Sequence, residues 1–148
     1  MIEYGTNDAR LQGTKKSSPT EYVENLRAMI QILQSWNVPK ERIYVLSPPP
    51  LRGRQFEKNG QLLYTRARIE QFAMACIKLA KEEGVIYVDI YSAIMGYAGD
   101  GIEEFMADGL LMSESIKRLR LTITLDTHLG EKGHKVALQE WRRCVDGR

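Results

Sequence analysis

Residues 43–50 read Ile-Tyr-Val-Leu-Ser-Pro-Pro-Pro, and this stretch decides the predicted fold. Its first four residues are apolar and partly β-branched, which is typical of a short strand that is buried on both faces. Proline lacks the N–H that a strand ladder needs, so the strand ends before the three prolines. A doubly buried strand of this kind predicts a parallel sheet that is covered by helices.

The segments on either side of this strand alternate between strand and helix patterns. Residues 1–4 and 85–90 are predicted strands, and apolar side chains recur at helical spacing over residues 22–36 and 62–80. Residues 128–134 open a last predicted helix. This alternation indicates an α/β fold whose parallel strands end at one carboxyl edge, where the chemistry of such sheets is located.

Flanking residues predict the boundaries of these elements. Ser18 or Thr20 is the predicted N-cap of the first helix, and Gly84 marks the end of the second. Residues 53–60 are polar and predict a loop, and the pattern beyond Ser92 is irregular.

Composition limits the class of protein. The 148 residues, 43% of them hydrophobic, predict one domain, and a net charge of +2 argues against a nucleic-acid or anionic membrane partner. No run of 18 apolar residues and no signal-peptide pattern occurs. The two cysteines, Cys76 and Cys144, are far apart and lack metal-ligand spacing, so we expect reduced thiols and a reducing, cytoplasmic compartment.

Asn7 follows the first predicted strand by a few residues. Its side-chain amide is a candidate donor to an oxyanion at the carboxyl edge. The alternative interpretation is an Asx turn that closes the strand, because Asn and Asp are common turn formers. Asp8 is interpreted as a structural hydrogen-bonding residue or a helix cap.

His128 is the candidate general base, because a neutral imidazole accepts a proton near pH 7 when a carboxylate orients its other nitrogen. Asp108 and Asp126 are the two candidate orienting carboxylates, with Asp108 preferred. His134 is interpreted as a helix-surface residue. A metal site of Asp126, His128 and His134 matches no zinc-ligand spacing, so no metal or other cofactor is expected.

Four motifs together resemble the SGNH (GDSL) hydrolases, and most closely the isoamyl acetate-hydrolysing esterase group. They are Gly5-Thr6-Asn7-Asp8, Leu46-Ser47-Pro48-Pro49-Pro50, Asp108-Gly109-Leu110 and residues 128–134, in the same order along the chain. The resemblance implies a three-layer α/β/α sandwich around a parallel sheet. It also implies that Asn7 is an oxyanion-hole residue and that His128 is the base.

Two departures from the family pattern are evident. The family's Gly-Asp-Ser block precedes the Gly-Thr-Asn-Asp motif, whereas only four residues precede Gly5 here, so no residue corresponds to the nucleophile. The family's Asp-Gly-Leu-His-Leu stretch is split, which makes residues 111–127 a predicted insertion. Pairing Asp108 with His128 closes a loop of 19 residues, at an extra entropy cost of about 2 kcal/mol.

These features predict residues 1–148 to be a partial SGNH domain with about three strands. We expect the C-terminal part of an ester hydrolase that takes a small ester as substrate in its intact relatives and is inactive alone for lack of the serine. The alternative is a non-catalytic binding module. It would use the cleft, the polyproline-like residues 48–54 or an open sheet edge, which would also permit self-association.

Overall fold

The computed structural model describes residues 1–3, 5–14, 16–51, 55–98 and 131–146. Five strands and four helices are described, with a single 3₁₀ turn at Lys40–Arg42. The strands are β1 (Ile2–Glu3), β2 (Tyr44–Leu46), β3 (Gln55–Lys58), β4 (Gln61–Thr65) and β5 (Ile86–Val88). The helices are α1 (Pro19–Ser35), α2 (Arg66–Glu83), α3 (Ile90–Ala98) and α4 (Glu131–Asp146).

Strands β1, β2 and β5 form a parallel sheet with β2 in the centre. Ile2 is in register with Val45 of β2, which is in register with Tyr87 of β5. The strand predicted from residues 43–46 is therefore the central strand, and the three-stranded parallel sheet predicted from the sequence is confirmed.

Helices cover both faces of this sheet. Successive strand side chains point to opposite faces, and Val45 accordingly packs in the core formed with α1 and α2, whereas its neighbour Leu46 packs with α3 and α4. Val88 of β5 joins Leu46 on the second face. The arrangement is the three-layer α/β/α sandwich that the family resemblance implied.

Ser18 is the N-cap of α1. The Ser18 hydroxyl accepts a hydrogen bond from the Glu21 N–H at 3.1 Å, and the Glu21 carboxylate accepts one from the Ser18 N–H at 3.3 Å. This reciprocal pair is a capping box, and Pro19 at the first helical position needs no acceptor for its nitrogen. Of the two caps that the sequence predicted, Ser18 is the correct one.

A β-hairpin replaces part of the predicted loop and part of the predicted second helix. Strands β3 and β4 are antiparallel and are joined by Asn59 and Gly60, which have φ values of 54° and 73°. Two positive φ values in a two-residue connection define a type I′ turn, for which Asn-Gly is the preferred sequence. The prediction of a loop over residues 53–60 was therefore wrong for β3, and Leu62 lies in β4 rather than in α2.

Helix α3 was not predicted. Strand β5 ends at Val88. The Asp89 carboxylate then accepts a hydrogen bond from the Ser92 N–H at 3.0 Å. An Asp in this position caps a helix by satisfying a backbone donor of its first turn. The buried positions are Ile90, Tyr91 and Ile94. The exposed positions carry serine, glycine and tyrosine rather than charged residues, so the sequence shows no marked polar face. The predicted strand over residues 85–90 therefore extended two residues too far.

The remaining predictions concern the thiols and the membrane. Both cysteines are free, with Cys76 buried and Cys144 half-buried, as expected. Among the helices that the structure describes, none is both long and apolar enough to cross a bilayer. The predicted insertion, residues 111–127, lies outside the described residues.

The capping box predicts the effect of a single substitution. We expect Ser18→Ala to lower the free energy of unfolding by about 1 kcal/mol, because the Glu21 N–H loses its acceptor. Urea unfolding followed by circular dichroism measures this change. Thr20→Ala is the matched control, since Thr20 is exposed within the first turn. An equal loss of stability in both variants would contradict the assignment.

Candidate active site

The carboxyl ends of the three parallel strands bring three polar segments to one edge of the sheet. The Gly-Thr-Asn-Asp turn follows β1, Ser47 follows β2 and Asp89 follows β5. In open α/β sheets this edge is where ligands bind. The site is therefore built from the residues that come directly after the strands.

Gly5 sets the path of the chain as it leaves β1. Its φ is +126°, a backbone conformation that residues with a Cβ rarely adopt. A Cβ on Gly5 would lie 2.9 Å from the Tyr22 hydroxyl oxygen and 3.2 Å from Cγ of Pro48. The Gly5 carbonyl then accepts a hydrogen bond from the Ala9 N–H at 2.9 Å, which closes the turn around Asn7.

Asn7 lies in this turn, half-buried, at the carboxyl edge of the sheet. The Tyr64 hydroxyl of the hairpin donates to Oδ1 of Asn7 at 3.5 Å, and Nε of Arg10 donates to the same hydroxyl at 2.8 Å. The structure thus places Asn7 where the sequence predicted it, in a turn after the first strand. Its role as an oxyanion donor stays a prediction.

Arg68 of α2 holds the segment that follows Asn7. Its Nε donates to the Ala9 carbonyl at 3.0 Å, and its terminal nitrogen donates to the Ser17 carbonyl at 2.7 Å. The Arg68 guanidinium also lies 5.2 Å from the centre of the Phe72 ring, a cation–π distance. Sequence reasoning did not find Arg68, because its partners are backbone carbonyls that are distant in sequence.

Ser47 is the serine at the end of the central strand, and its contacts are structural. Its hydroxyl accepts a hydrogen bond from the Tyr91 N–H at 3.0 Å and donates to the Asp89 carboxylate at 3.4 Å. The residue is fully buried, with 0% of its surface exposed. Ser47 therefore joins β2 to the start of α3 and is not accessible to an ester.

Cys76 and Tyr22 form a buried pair next to the Gly5 turn. Burial raises the pKa of the Cys76 thiol to about 12, and burial likewise raises the pKa of the Tyr22 hydroxyl far above its usual range. The Cys76 thiol donates to the Leu46 carbonyl at a sulfur–oxygen distance of 3.6 Å. Since the thiolate is the reactive form, Cys76 is inert at neutral pH.

Of the other predicted site residues, some lie within the described ranges and others do not. Asp108, Asp126 and His128 lie outside the described residues, and His134 falls on α4. Pro48, Pro49 and Pro50 are buried, so this part of the predicted polyproline ligand is not available to a groove on another protein. Within the described ranges, no three His, Cys, Asp or Glu residues are grouped so that they could hold a metal ion.

The fold agrees with comparisons to known proteins. Residues 1–136 match the model of the GDSL-like lipase/acylhydrolase family. The chain therefore belongs to this family of esterase-type hydrolases, as the four motifs indicated.

Individual relatives share this assignment. The isoamyl acetate-hydrolyzing esterase 1 homolog of Rattus norvegicus is 32% identical over 120 residues, which cover 76% of this chain and 48% of that protein. The isoamyl acetate-hydrolyzing esterase of Saccharomyces cerevisiae is 27% identical over 158 residues, covering 98% of this chain and 65% of that protein. The chain thus spans about half the length of its mammalian relatives.

Solved structures show the same fold. The lipase/acylhydrolase from Enterococcus faecalis superposes with a TM-score of 0.66 at 20% identity, and the match covers 99% of this chain and 60% of that one. An acetyl-xylooligosaccharide esterase, in the form of a mutant of Axe2, superposes with a TM-score of 0.59 at 17% identity and covers 97% of this chain and 57% of that one. At these identities the likeness concerns the fold alone.

The contacts of Gly5 predict a large effect of a small substitution. We expect Gly5→Ala to destabilise the protein by more than about 1 kcal/mol, because the new Cβ meets Tyr22 and Pro48 and the backbone is strained. Gly13→Ala is the matched control, since Gly13 has a φ of +94° but no atom within 4 Å of the added Cβ. Urea unfolding of both variants separates the free-energy cost of the steric contact from that of the backbone strain. Equal losses would contradict the steric role of Gly5.

Proposed function

We propose that this chain forms the oxyanion-binding and proton-accepting part of an esterase for small esters of short-chain acids. The observation that carries the proposal is the position of Asn7, an amide at the carboxyl edge of the sheet that accepts a hydrogen bond from Tyr64 of the neighbouring hairpin, which itself accepts one from Arg10. Family membership supports ester hydrolysis, and the relatives named for isoamyl acetate support a small ester.

Each predicted residue has a role in this reaction. Attack on the ester carbonyl places negative charge on its oxygen, and the Nδ2 hydrogens of Asn7 donate to that oxygen. His128 accepts the proton of the attacking hydroxyl and returns it to the leaving alcohol. Asp108, or alternatively Asp126, orients the imidazole. Pairing with Asp108 requires that the proposed insertion, residues 111–127, loop back to His128.

The 148 residues contain no Gly-Asp-Ser motif. Ser47 and Cys76, the buried hydroxyl and thiol nearest the end of β2, are held in structural hydrogen bonds. We therefore propose that this polypeptide alone does not form an acyl-enzyme. The free thiols support work in a reducing compartment such as the cytoplasm.

Two assays test this proposal. The 148-residue chain is expected to show neither a burst with p-nitrophenyl acetate nor labelling by a fluorophosphonate. A fusion is then made in which the family's Gly-Asp-Ser block, taken from an active GDSL esterase, precedes Met1. We expect the fusion to hydrolyse p-nitrophenyl acetate, because it combines a nucleophile with Asn7 and His128.

The residues are tested in that fusion. Asn7→Ala is expected to lower kcat by about 10²- to 10³-fold, the effect of losing one oxyanion donor, and His128→Ala is expected to abolish turnover. Asn25→Ala is the control, since Asn25 is an exposed amide on α1. A fluorophosphonate-labelled serine in the 148-residue chain, or an unchanged kcat after Asn7→Ala, would contradict the proposal.

A non-catalytic role in binding is the second candidate. The observation in its favour is that β1 is a terminal strand of the described sheet, paired with β2. A terminal strand presents backbone groups that pair with a strand of another chain. Light scattering across a range of concentrations is expected to show self-association of the 148-residue chain. A monomer at every concentration would contradict pairing between copies.

A further inference from the structure

We propose that the β3–β4 hairpin positions the oxyanion-hole amide, with Tyr64 as the positioning residue and Arg10 as its support. The inference deepens the proposed function and rests on it for the chemical role of Asn7. The positioning itself concerns three side chains that the structure describes: Arg10 donates to Tyr64, and Tyr64 donates to Asn7.

A backbone hydrogen bond joins the hairpin to the segment that directly follows the Asn7 turn. In the β3–β4 register, Phe56 faces Tyr64 and Glu57 faces Leu62, so Leu63 is the extra residue of a bulge. The Leu63 carbonyl accepts a hydrogen bond from the Leu11 N–H at 2.9 Å. A bulge re-aims neighbouring side chains, and here the next residue, Tyr64, is directed at Asn7.

The direction of these hydrogen bonds follows from which of the groups can donate and which can accept. A guanidinium can only donate, so the Tyr64 hydroxyl accepts from Nε of Arg10 at 2.8 Å. The phenolic proton is then available to Oδ1 of Asn7, at an oxygen–oxygen distance of 3.5 Å. This distance is long, and hydrogen bonds of free enzymes commonly tighten when charge develops in the site.

The orientation of the amide decides whether it can stabilise an oxyanion. When Oδ1 of Asn7 faces Tyr64, covalent geometry directs the Nδ2 hydrogens away from the tyrosine. A flipped amide would instead direct its partially negative oxygen toward the developing oxyanion and repel it. The charge of Arg10 polarises the Tyr64 hydroxyl and so strengthens its donation to Oδ1. Arg10 also lies 5.7 Å from the centre of the Tyr64 ring, which restrains both side chains.

Nuclear magnetic resonance of the full 148-residue chain tests the positioning without any need for turnover. In Tyr64→Phe we expect both Nδ2 protons of Asn7 to shift and the amide to rotate faster, because Oδ1 loses the hydrogen bond from the Tyr64 hydroxyl. In Arg10→Met we expect a smaller change in the same direction, since the hydroxyl remains. Tyr97→Phe is the matched control, because Tyr97 is 67% exposed on α3.

Unmoved Asn7 side-chain resonances in a folded Tyr64→Phe variant would overturn the proposal. If Tyr64→Phe does not fold, Arg10→Met decides, and unmoved Asn7 resonances in that variant would overturn it equally. Circular dichroism of each variant reports whether it is folded. A merely structural contact would change the unfolding midpoint without a selective effect on the Asn7 amide.

Titration with sodium acetate separates the positioning from the oxyanion role. Acetate is expected to shift the Asn7 Nδ2 protons of the wild-type chain, and its affinity is expected to fall about 2- to 10-fold in Tyr64→Phe, the effect of one ordinary hydrogen bond. If Tyr64→Phe moves the Asn7 amide but acetate does not, the positioning stands and the proposed function fails. If acetate moves the amide but Tyr64→Phe does not, the positioning fails alone.

Discussion

The lack of space for a side chain at Gly5, beside Tyr22 and Pro48, is the constraint on which the candidate site depends. Tyr22 comes from α1 and Pro48 follows β2, so two layers of the fold meet the chain where it leaves β1. Tyr22 is itself held in the core beside Phe72 of α2, with ring centres 5.0 Å apart. The turn that carries Asn7 therefore has little freedom of position, because the surrounding side chains belong to the packed core.

Hydrogen bonds from two arginine side chains add to the packing around this turn. The Arg68 guanidinium satisfies carbonyls on both sides of the segment after Asn7, and Arg10 engages the hairpin. Hydrogen bonds from a charged donor are stronger than those between neutral groups. Together these bonds hold an irregular segment against α2 and the hairpin without regular secondary structure of its own.

The hydroxyl and the thiol that lie next to the end of β2 are structural groups rather than nucleophiles. Ser47 and Cys76 lie close to the end of β2, but hydrogen bonding and burial assign both to the structure of the sheet and its helices. Asn7 is the polar group that the hairpin reaches at the carboxyl edge. An amide that is held in place has a function in ester hydrolysis only together with a nucleophile.

Local patterns predicted the elements whose information is contained in neighbouring residues. Short extended or apolar runs identified β1, β2 and β5, the helical spacing of apolar residues identified α1 and most of α2, and the order of four motifs indicated the family. The hairpin could have been predicted, because Asn59-Gly60 is a strong turn signal. It was missed because Leu62 of β4 also fits the helical spacing of the apolar residues in the following helix. Helix α3 was missed because its exposed positions carry Ser92, Gly96 and Tyr97 rather than charged residues, so the sequence shows no marked polar face.

By itself, the sequence determined the class of fold and placed Asn7 after the first strand, because strand length, proline positions and turn residues act over a few neighbours. Only the tertiary structure decided which groups surround Asn7. Tyr64 is 57 residues away from Asn7 along the chain, and Arg68 reaches the Ala9 carbonyl across 59 residues. Contacts of this kind arise when helices and a hairpin pack on a sheet, and periodicity over a few residues carries no information about them.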